Sequence, residues 1–296
     1  MPRVKTLEDA IRTRDFVVTA ELTLTPDSNA NSIIDQAQVL RSAVDAIQVT
    51  ENQYGQIHMS PLAAASVLLD EGVDPVMQLS CCNRNRAALI GDLLGARAIG
   101  ISSLLLVQGK KMPDSYQPQP EQVVDVGVQE LVATAQVVKE DPDLVGGANF
   151  FIGAVARVYR PKPDWSAPRL SGKLEAGAQF IQMQLCFDLD LLRHFVAHLV
   201  SLKLTQRCYL IADIAALPSA ETARWLRDNL SHVLIPNWIV RRLERAKDTQ
   251  KEGIAICSEY LQQIAEIPGI SGANLIRVGD PEAMVAAIAA SGLRGA

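Results

Sequence analysis

Eight short apolar runs punctuate this chain, and longer segments patterned for amphipathic helices lie between them. The runs are FVVTAEL (16–22), AIQVT (46–50), PVMQLS (75–80), SLLLVQG (103–109), FFIGAVA (150–156), FIQMQL (180–185), CYLIAD (208–213) and ANLIRV (273–278). Several are apolar on both faces, as strands buried in a parallel sheet must be. Helices are expected over 31–43, 61–71, 85–97, 120–139, 168–176, 189–202, 219–230 and 281–291. An additional long helix, roughly 238–265, is expected before the last strand. Strand and helix in alternation read as βα units, and eight parallel strands close most simply into a barrel. An open doubly wound sheet is the rival, but no G-x-G-x-x-G follows the first strand. The expectation is an α/β fold, a single-domain (β/α)8 TIM barrel over residues 1–296.

Charge and cysteine content narrow the function classes. The formal net charge is -5 and no dense Lys/Arg run offers a face for phosphates, which argues against nucleic acid. The N-terminal MPRVKTLEDAIRTRD has no apolar h-region, and no apolar run approaches membrane-spanning length. A cytoplasmic protein with no membrane partner is expected. The five cysteines, Cys81, Cys82, Cys186, Cys208 and Cys257, show no C-x-x-C spacing and read as reduced and mostly buried. No metal site is expected. His194 and His198 are four residues apart on a helix, but no third ligand lies nearby, so they read as helix-surface residues. The lone loop histidine, His58, reads as a surface residue.

In a barrel the side chains at the C-terminal ends of the strands converge on one mouth. Taken in order, those positions are Glu21, Thr50 and Glu51, then Gln78, Ser80 and Cys81, then Gly109 and Lys110. Arg157 and Tyr159, Gln184, Asp213 and Asp280 complete the circuit. Glu21 shares a strand face with Thr19 and Val17, and an ionised carboxylate there is costly without a partner. Burial raises a carboxyl pKa, so Glu21 reads either as a neutral proton donor or as a structural acid bonded to a strand-end group. Gln184 points the same way as Gln182 on an otherwise apolar strand. Its amide both donates and accepts, which suits a pterin-like ring; satisfaction by backbone at the rim is the competing reading. In VQGKKMP, Gly109 lets backbone approach a ligand, while Lys110 and Lys111 either meet an anion or stay solvated.

The same residues in order resemble the methylenetetrahydrofolate reductase family over nearly the whole chain. The likeness rests on TAELTLTP, DAIQVT, the stretch from GVDPVMQLSCCNRNRAALIG to SLLLVQG, GKLEAGAQFIQMQLCFDLDLL and IPNW. The resemblance implies a (β/α)8 barrel that transfers hydride from NAD(P)H, directly or through FAD, to the methylene carbon of 5,10-methylenetetrahydrofolate. It makes Glu21 the catalytic acid that protonates a folate nitrogen. It makes Gln184 a contact to folate and nicotinamide, and Thr50 a neighbour at the same site. Gln78, Gly109, Lys110, Tyr159 and Lys173 fall at cofactor-binding positions, and Lys110 and Asp280 also at the substrate side.

The chain departs from the family pattern at most flavin contacts. Gln78 stands where the family has His, QGK (108–110) replaces an Arg-Gly-Asp-like turn, and Val155 and Tyr159 replace Tyr and His. Gly172 and Lys173 stand at a basic pair, so Gly109 and Lys173 alone survive as matches. Either FAD is kept by other contacts, with Lys110 beside the reduced ring, or NAD(P)H delivers hydride straight to the folate. The expected preparation is colourless or loses FAD on dilution. A folate-binding accessory or methyl-transfer protein without redox activity is the alternative function. Apolar helix faces point to a homo-oligomer.

Overall fold

The computed structural model describes residues 5–114, 116–144 and 147–294. Among them are β1 (Val17–Leu22), β2 (Ala46–Val49), β3 (Pro75–Ser80), β4 (Ser103–Val107), β5 (Phe151–Ala156), β6 (Phe180–Met183), β7 (Tyr209–Ile214) and β8 (Gly272–Leu275). All pair in parallel in sequence order, and β8 closes on β1 with Thr19 opposite Asn274. The (β/α)8 barrel expected from the alternation is therefore the fold. The helices are α1 (Leu7–Thr13), α2 (Ala30–Leu40), α3 (Pro61–Asp70), α4 (Arg86–Ile99), α5 (Val128–Glu140) and α6 (Pro168–Glu175). They continue with α7 (Leu189–Ser201), α8 (Ala220–Asn229), α9 (Asn237–Arg245), α10 (Thr249–Ala265) and α11 (Pro281–Ser291). Side chains of Asn29, Asn85, Asp188, Ser219 and Asp248 accept first-turn N–H groups and fix where α2, α4, α7, α8 and α10 begin.

Three local expectations need correction. The single long helix before β8 is two, α9 and α10. Ala246 is extended (φ -73°, ψ 138°), and Asp248 caps Lys251 N–H, so the local cap starts a new helix. The helix placed at 120–139 starts only at Val128, because Val124 bridges to Cys82 and Arg84 and Gly127 takes the cap position. The third is α1, which no strand-end or periodicity argument anticipated. Its Leu7, Ala10 and Ile11 pack on the lowest interior layer, formed by Val17, Ala46, Val76, Leu105, Phe151, Phe180 and Ile211.

Strand alternation divides the barrel cleanly. Val18, Ala20, Leu22, Ile47, Val49, Leu104, Leu106, Ile181 and Met183 face the helices and build the large outer core. The opposite set faces inward. At its base, Phe151 and Phe180 stack with ring centroids 5.0 Å apart. A Cβ on Gly153 would lie 2.0 Å from the Phe180 ring, so only glycine leaves room for that ring. Above this apolar base the interior turns polar, and that change of chemistry positions the site.

Helix α8 departs from the ring. Trp225 on it meets Tyr54 of the loop after β2, and the segment behind it bonds to the end of β6 through Leu234 N–H to Leu185 O and Phe187 N–H to Leu234 O. Helix α10, not α8, packs against β7 and β8 in the ring position.

Candidate active site

The middle interior layer is a network of side-chain amides around one acid. Asp213 on β7 accepts from Gln182 Nε2 at 2.8 Å and Asn274 Nδ2 at 2.9 Å. Gln182 also donates to Gln48 Oε1 at 3.3 Å, and Thr19 Oγ1 donates to Asn274 Oδ1 at 2.8 Å. Part of Asp213 opens on the mouth, yet protein surrounds it, and burial pushes its carboxyl up to about 7 against the opposing bonds from Asn274 and Gln182. The network takes one residue from each of β1, β2, β6, β7 and β8, each on the inward face of its strand.

One layer higher, at the mouth, are Glu21, Thr50 and Gln184. Glu21 is 4% exposed, lies opposite Gln48 in the β1–β2 register, and accepts the Arg277 backbone N–H at 3.3 Å. The strand-end acid thus has the backbone-amide partner that the structural reading allowed, while its position at the mouth keeps the proton-donor reading open. Thr50 is 2% exposed, and its hydroxyl finds no hydrogen-bond partner among the described residues. Gln184 Oε1 is likewise buried without one, although the Gln184 backbone N–H donates to Ala156 O at 2.9 Å. Buried polar atoms are nearly always bonded in a finished fold. Two unspent ones converging on the ends of β2 and β6 suit a ligand with a polar edge.

The positions expected to hold a cofactor behave differently. Gln78 Oε1 accepts Glu51 N–H at 3.3 Å. Gly109 (φ 77°) lies against β3: a Cβ there would stand 2.9 Å from Ser80 Cβ, so packing of the β4 turn onto β3 requires the glycine. Lys173 Nζ donates to Val155 O at 2.6 Å, and burial, then Arg169, lowers its pKa. Tyr159 is 42% exposed and packs with Trp165 and Phe195 outside the barrel. Asp280 is exposed and precedes α11 without a side-chain cap. Lys110 alone of this set comes to the mouth, its ammonium 5.7 Å from the Tyr54 ring centroid and its pKa lowered by desolvation.

Other sequence candidates are structural. Glu51 pairs with Arg84 and accepts Ser80 N–H, tying β2 to β3. His194 Nδ1 lies 2.7 Å from Asp190 O on the helix surface, whereas His198 is half-buried, its Nε2 2.8 Å from Trp165 O. His58 Nδ1 lies 2.7 Å from Met59 O. All five cysteines are buried and free, and among the described residues no group of His, Cys, Asp or Glu is placed to hold a metal. No described helix is long and apolar enough to cross a membrane.

Strand-end reading missed the weight of Gln48, Gln182 and Asn274, though stepping back two residues from Thr50 and Gln184 reaches the first two. Arg277 gave no signal, since its contribution is a backbone amide. His232 was missed as well. Its imidazole is pushed down to about 4, chiefly by burial and then by the charges of Lys110 and Arg157.

Comparison with known proteins agrees with this geometry. Residues 6–290 match the family described as methylenetetrahydrofolate reductase. A Caenorhabditis elegans protein named probable methylenetetrahydrofolate reductase (NADPH) is 25% identical over 217 residues, 71% of this chain. The chain spans 31% of that relative's length. A solved long-chain alkane monooxygenase superposes with a TM-score of 0.55 over 94% of this chain and 90% of its own, at 12% identity, which speaks for the fold alone.

Proposed function

The chain belongs to the methylenetetrahydrofolate reductase family, and from that premise we propose that it is an oxidoreductase of one-carbon metabolism. In this reading it moves hydride between NAD(P)H and the methylene group of a folate. The observation that carries it is Glu21, a carboxyl 4% exposed at the barrel mouth beside buried polar atoms on Thr50 and Gln184 that have no partner among the described residues. A neutral carboxyl there gives its proton to the folate nitrogen. The C–N bond of the five-membered ring then breaks, and the carbon left electron-poor takes the hydride. Thr50 and Gln184 hold the polar edges of the rings so that donor and acceptor carbons face each other. The Arg277 amide keeps Glu21 aimed at the mouth.

The residues present do not fit FAD. Gln78, Gly109 and Lys173 are engaged with Glu51, β3 and the Val155 carbonyl, and Tyr159 packs away from the mouth. A nicotinamide fits better, because the free atoms on Thr50 and Gln184 match a carboxamide and Lys110 with Arg157 offers positive charge to its phosphates. The reduced nicotinamide supplies the hydride directly in this reading. A cytoplasmic location accompanies it. So does a homo-oligomer, supported by the exposed apolar side chains of Leu94, Ile99 and Val137 on neighbouring α4 and α5 and testable by solution mass.

The decisive experiment is oxidation of NADH or NADPH by the purified chain with 5,10-methylenetetrahydrofolate, read beside its absorption spectrum. Turnover by a colourless protein is expected. Flavin bands at one per chain overturn the direct route. Folate binding without nicotinamide oxidation replaces the enzyme with a folate-binding accessory protein.

A further inference from the structure

Tyr54, in the short turn Gln53–Gly55 after β2, holds a backbone conformation that a bulky residue rarely adopts, φ 57° and ψ 18°. Such a conformation is strained and persists only where the surroundings impose it. They do so here. Gly55, itself at φ 78°, is pressed close to Lys111 O and Pro113 of the loop after β4, and the Ile57 N–H donates to Tyr116 Oη at 2.9 Å. The ring is then gripped from helix α8 and from the loop after β4. Trp225 of α8 meets it edge-on at 5.3 Å and 90°, and the Lys110 ammonium stands 5.7 Å from its centroid. The turn after β2, the loop after β4 and helix α8 converge on one phenol.

That effort does not serve the hydroxyl's own bonding. Tyr54 Oη is buried and has no hydrogen-bond partner among the described residues. Burial is the main reason that its pKa is raised well above the ordinary phenol range, and the nearby carboxyls of Glu21 and Asp213 add to it when ionised. The hydroxyl therefore remains a proton donor throughout the working pH range. A buried donor without a partner costs stability in the free protein and is satisfied only when something else enters the mouth.

We infer that Tyr54 is a ligand-contacting residue of this mouth, its hydroxyl donating a hydrogen bond to the polar edge of the ring system that Glu21 faces. The inference rests on the folate reading for the identity of that ring. It also assigns a task to Lys110 and Trp225: they orient the phenol, and Lys110 does so from a position where the family pattern led to expecting a cofactor contact.

The test is Tyr54→Phe in the full chain, which keeps the ring and its contacts with Trp225 and Lys110. Binding of 5-methyltetrahydrofolate is followed by quenching of tryptophan fluorescence, and the melting temperature is measured beside it. The expected result is an approximately tenfold weaker Kd with a melting temperature equal to or above that of the unsubstituted protein, because an unsatisfied buried donor has been removed. A Kd within twofold overturns the inference, and so does a drop in melting temperature, which marks Tyr54 as a structural residue. Failure of the unsubstituted protein to bind the folate overturns it as well. Folate binding without nicotinamide oxidation instead defeats the reductase reading, and the Kd ratio still decides the role of Tyr54.

Discussion

The two ends of the barrel solve the problem of buried polarity in opposite ways. At the base, Asp74 is buried and receives the Leu7 N–H at 2.7 Å and the hydroxyls of Ser103 and Ser102 at 3.3 Å. Above it, α1 seals the base with Leu7, Ala10 and Ile11. At the mouth, Thr50, Tyr54 and Gln184 bury polar atoms that bond to nothing among the described residues. The two acids, Asp74 and Asp213, are both raised to about 7 by burial, so a shifted carboxyl does not by itself mark function. What separates them is the surroundings of the acid: Asp74 and its partners bond to one another, whereas Thr50, Tyr54 and Gln184 at the mouth keep buried polar atoms without a partner among the described residues.

The largest effect that would break this contrast is at Glu21. Glu21→Gln is expected to lower the rate of nicotinamide oxidation at least about a hundredfold while the melting temperature holds, the scale of general acid catalysis. Full activity in that variant removes Glu21 from the chemistry and leaves the mouth with no acid that distinguishes it from the base. The opposite pattern is expected at the base. Leu7→Ala should cost about 2 kcal/mol in denaturant unfolding, from lost burial and the cavity left behind, with KM and kcat unchanged. A change in KM would mean that the two ends are coupled through the barrel.

A smaller effect sharpens the contrast at the mouth. Gln184→Leu removes a buried carbonyl oxygen that has no partner among the described residues, so KM for the folate is expected to rise about tenfold without loss of stability. Loss of stability with unchanged KM would make Gln184 part of the scaffold.

A further expected effect is a slope of stability against pH. Asp74 and Asp213 both have folded values raised to about 7 from 3.8, so the folded state holds their protons more tightly than the unfolded chain does. Their stabilising contribution is full below the unfolded value and is lost as pH rises through about 7. Asp74→Asn should remove its share of that decline between pH 4 and 7, leaving the share from Asp213. Thermal unfolding across that range measures it, and an unaltered slope would show that Asp74 does not titrate there.

The alternation of apolar runs with amphipathic segments determined the barrel, because eight strands buried on both faces and joined by helices have few other ways to close. The two-residue period of a strand also determined that Glu21 shares the interior with Thr19 and Val17, and Gln184 with Gln182. Helix α11 was legible to the residue at both ends, from Pro281 in its first turn and Gly292 (φ 69°) just past its last. These are local signals, and they survive because sterics and burial act on neighbours. The break between α9 and α10 was also written locally, in Asp248, but a long amphipathic pattern outweighed a single cap.

Only the tertiary structure decided which polar groups are spent. Glu21 meets Arg277 across 256 positions, Gln48 meets Gln182 across 134, and Leu7 meets Asp74 across 67. Lys173 fell at a cofactor-binding position, but the Val155 carbonyl lies within 2.6 Å of its ammonium, and Tyr54 gave no sequence signal until helix α8 and the loop after β4 closed on its ring. Residue type and spacing say which atoms can form a hydrogen bond. Whether a partner is already present depends on chain segments brought together by closure of the barrel, and no periodicity along the sequence carries that information.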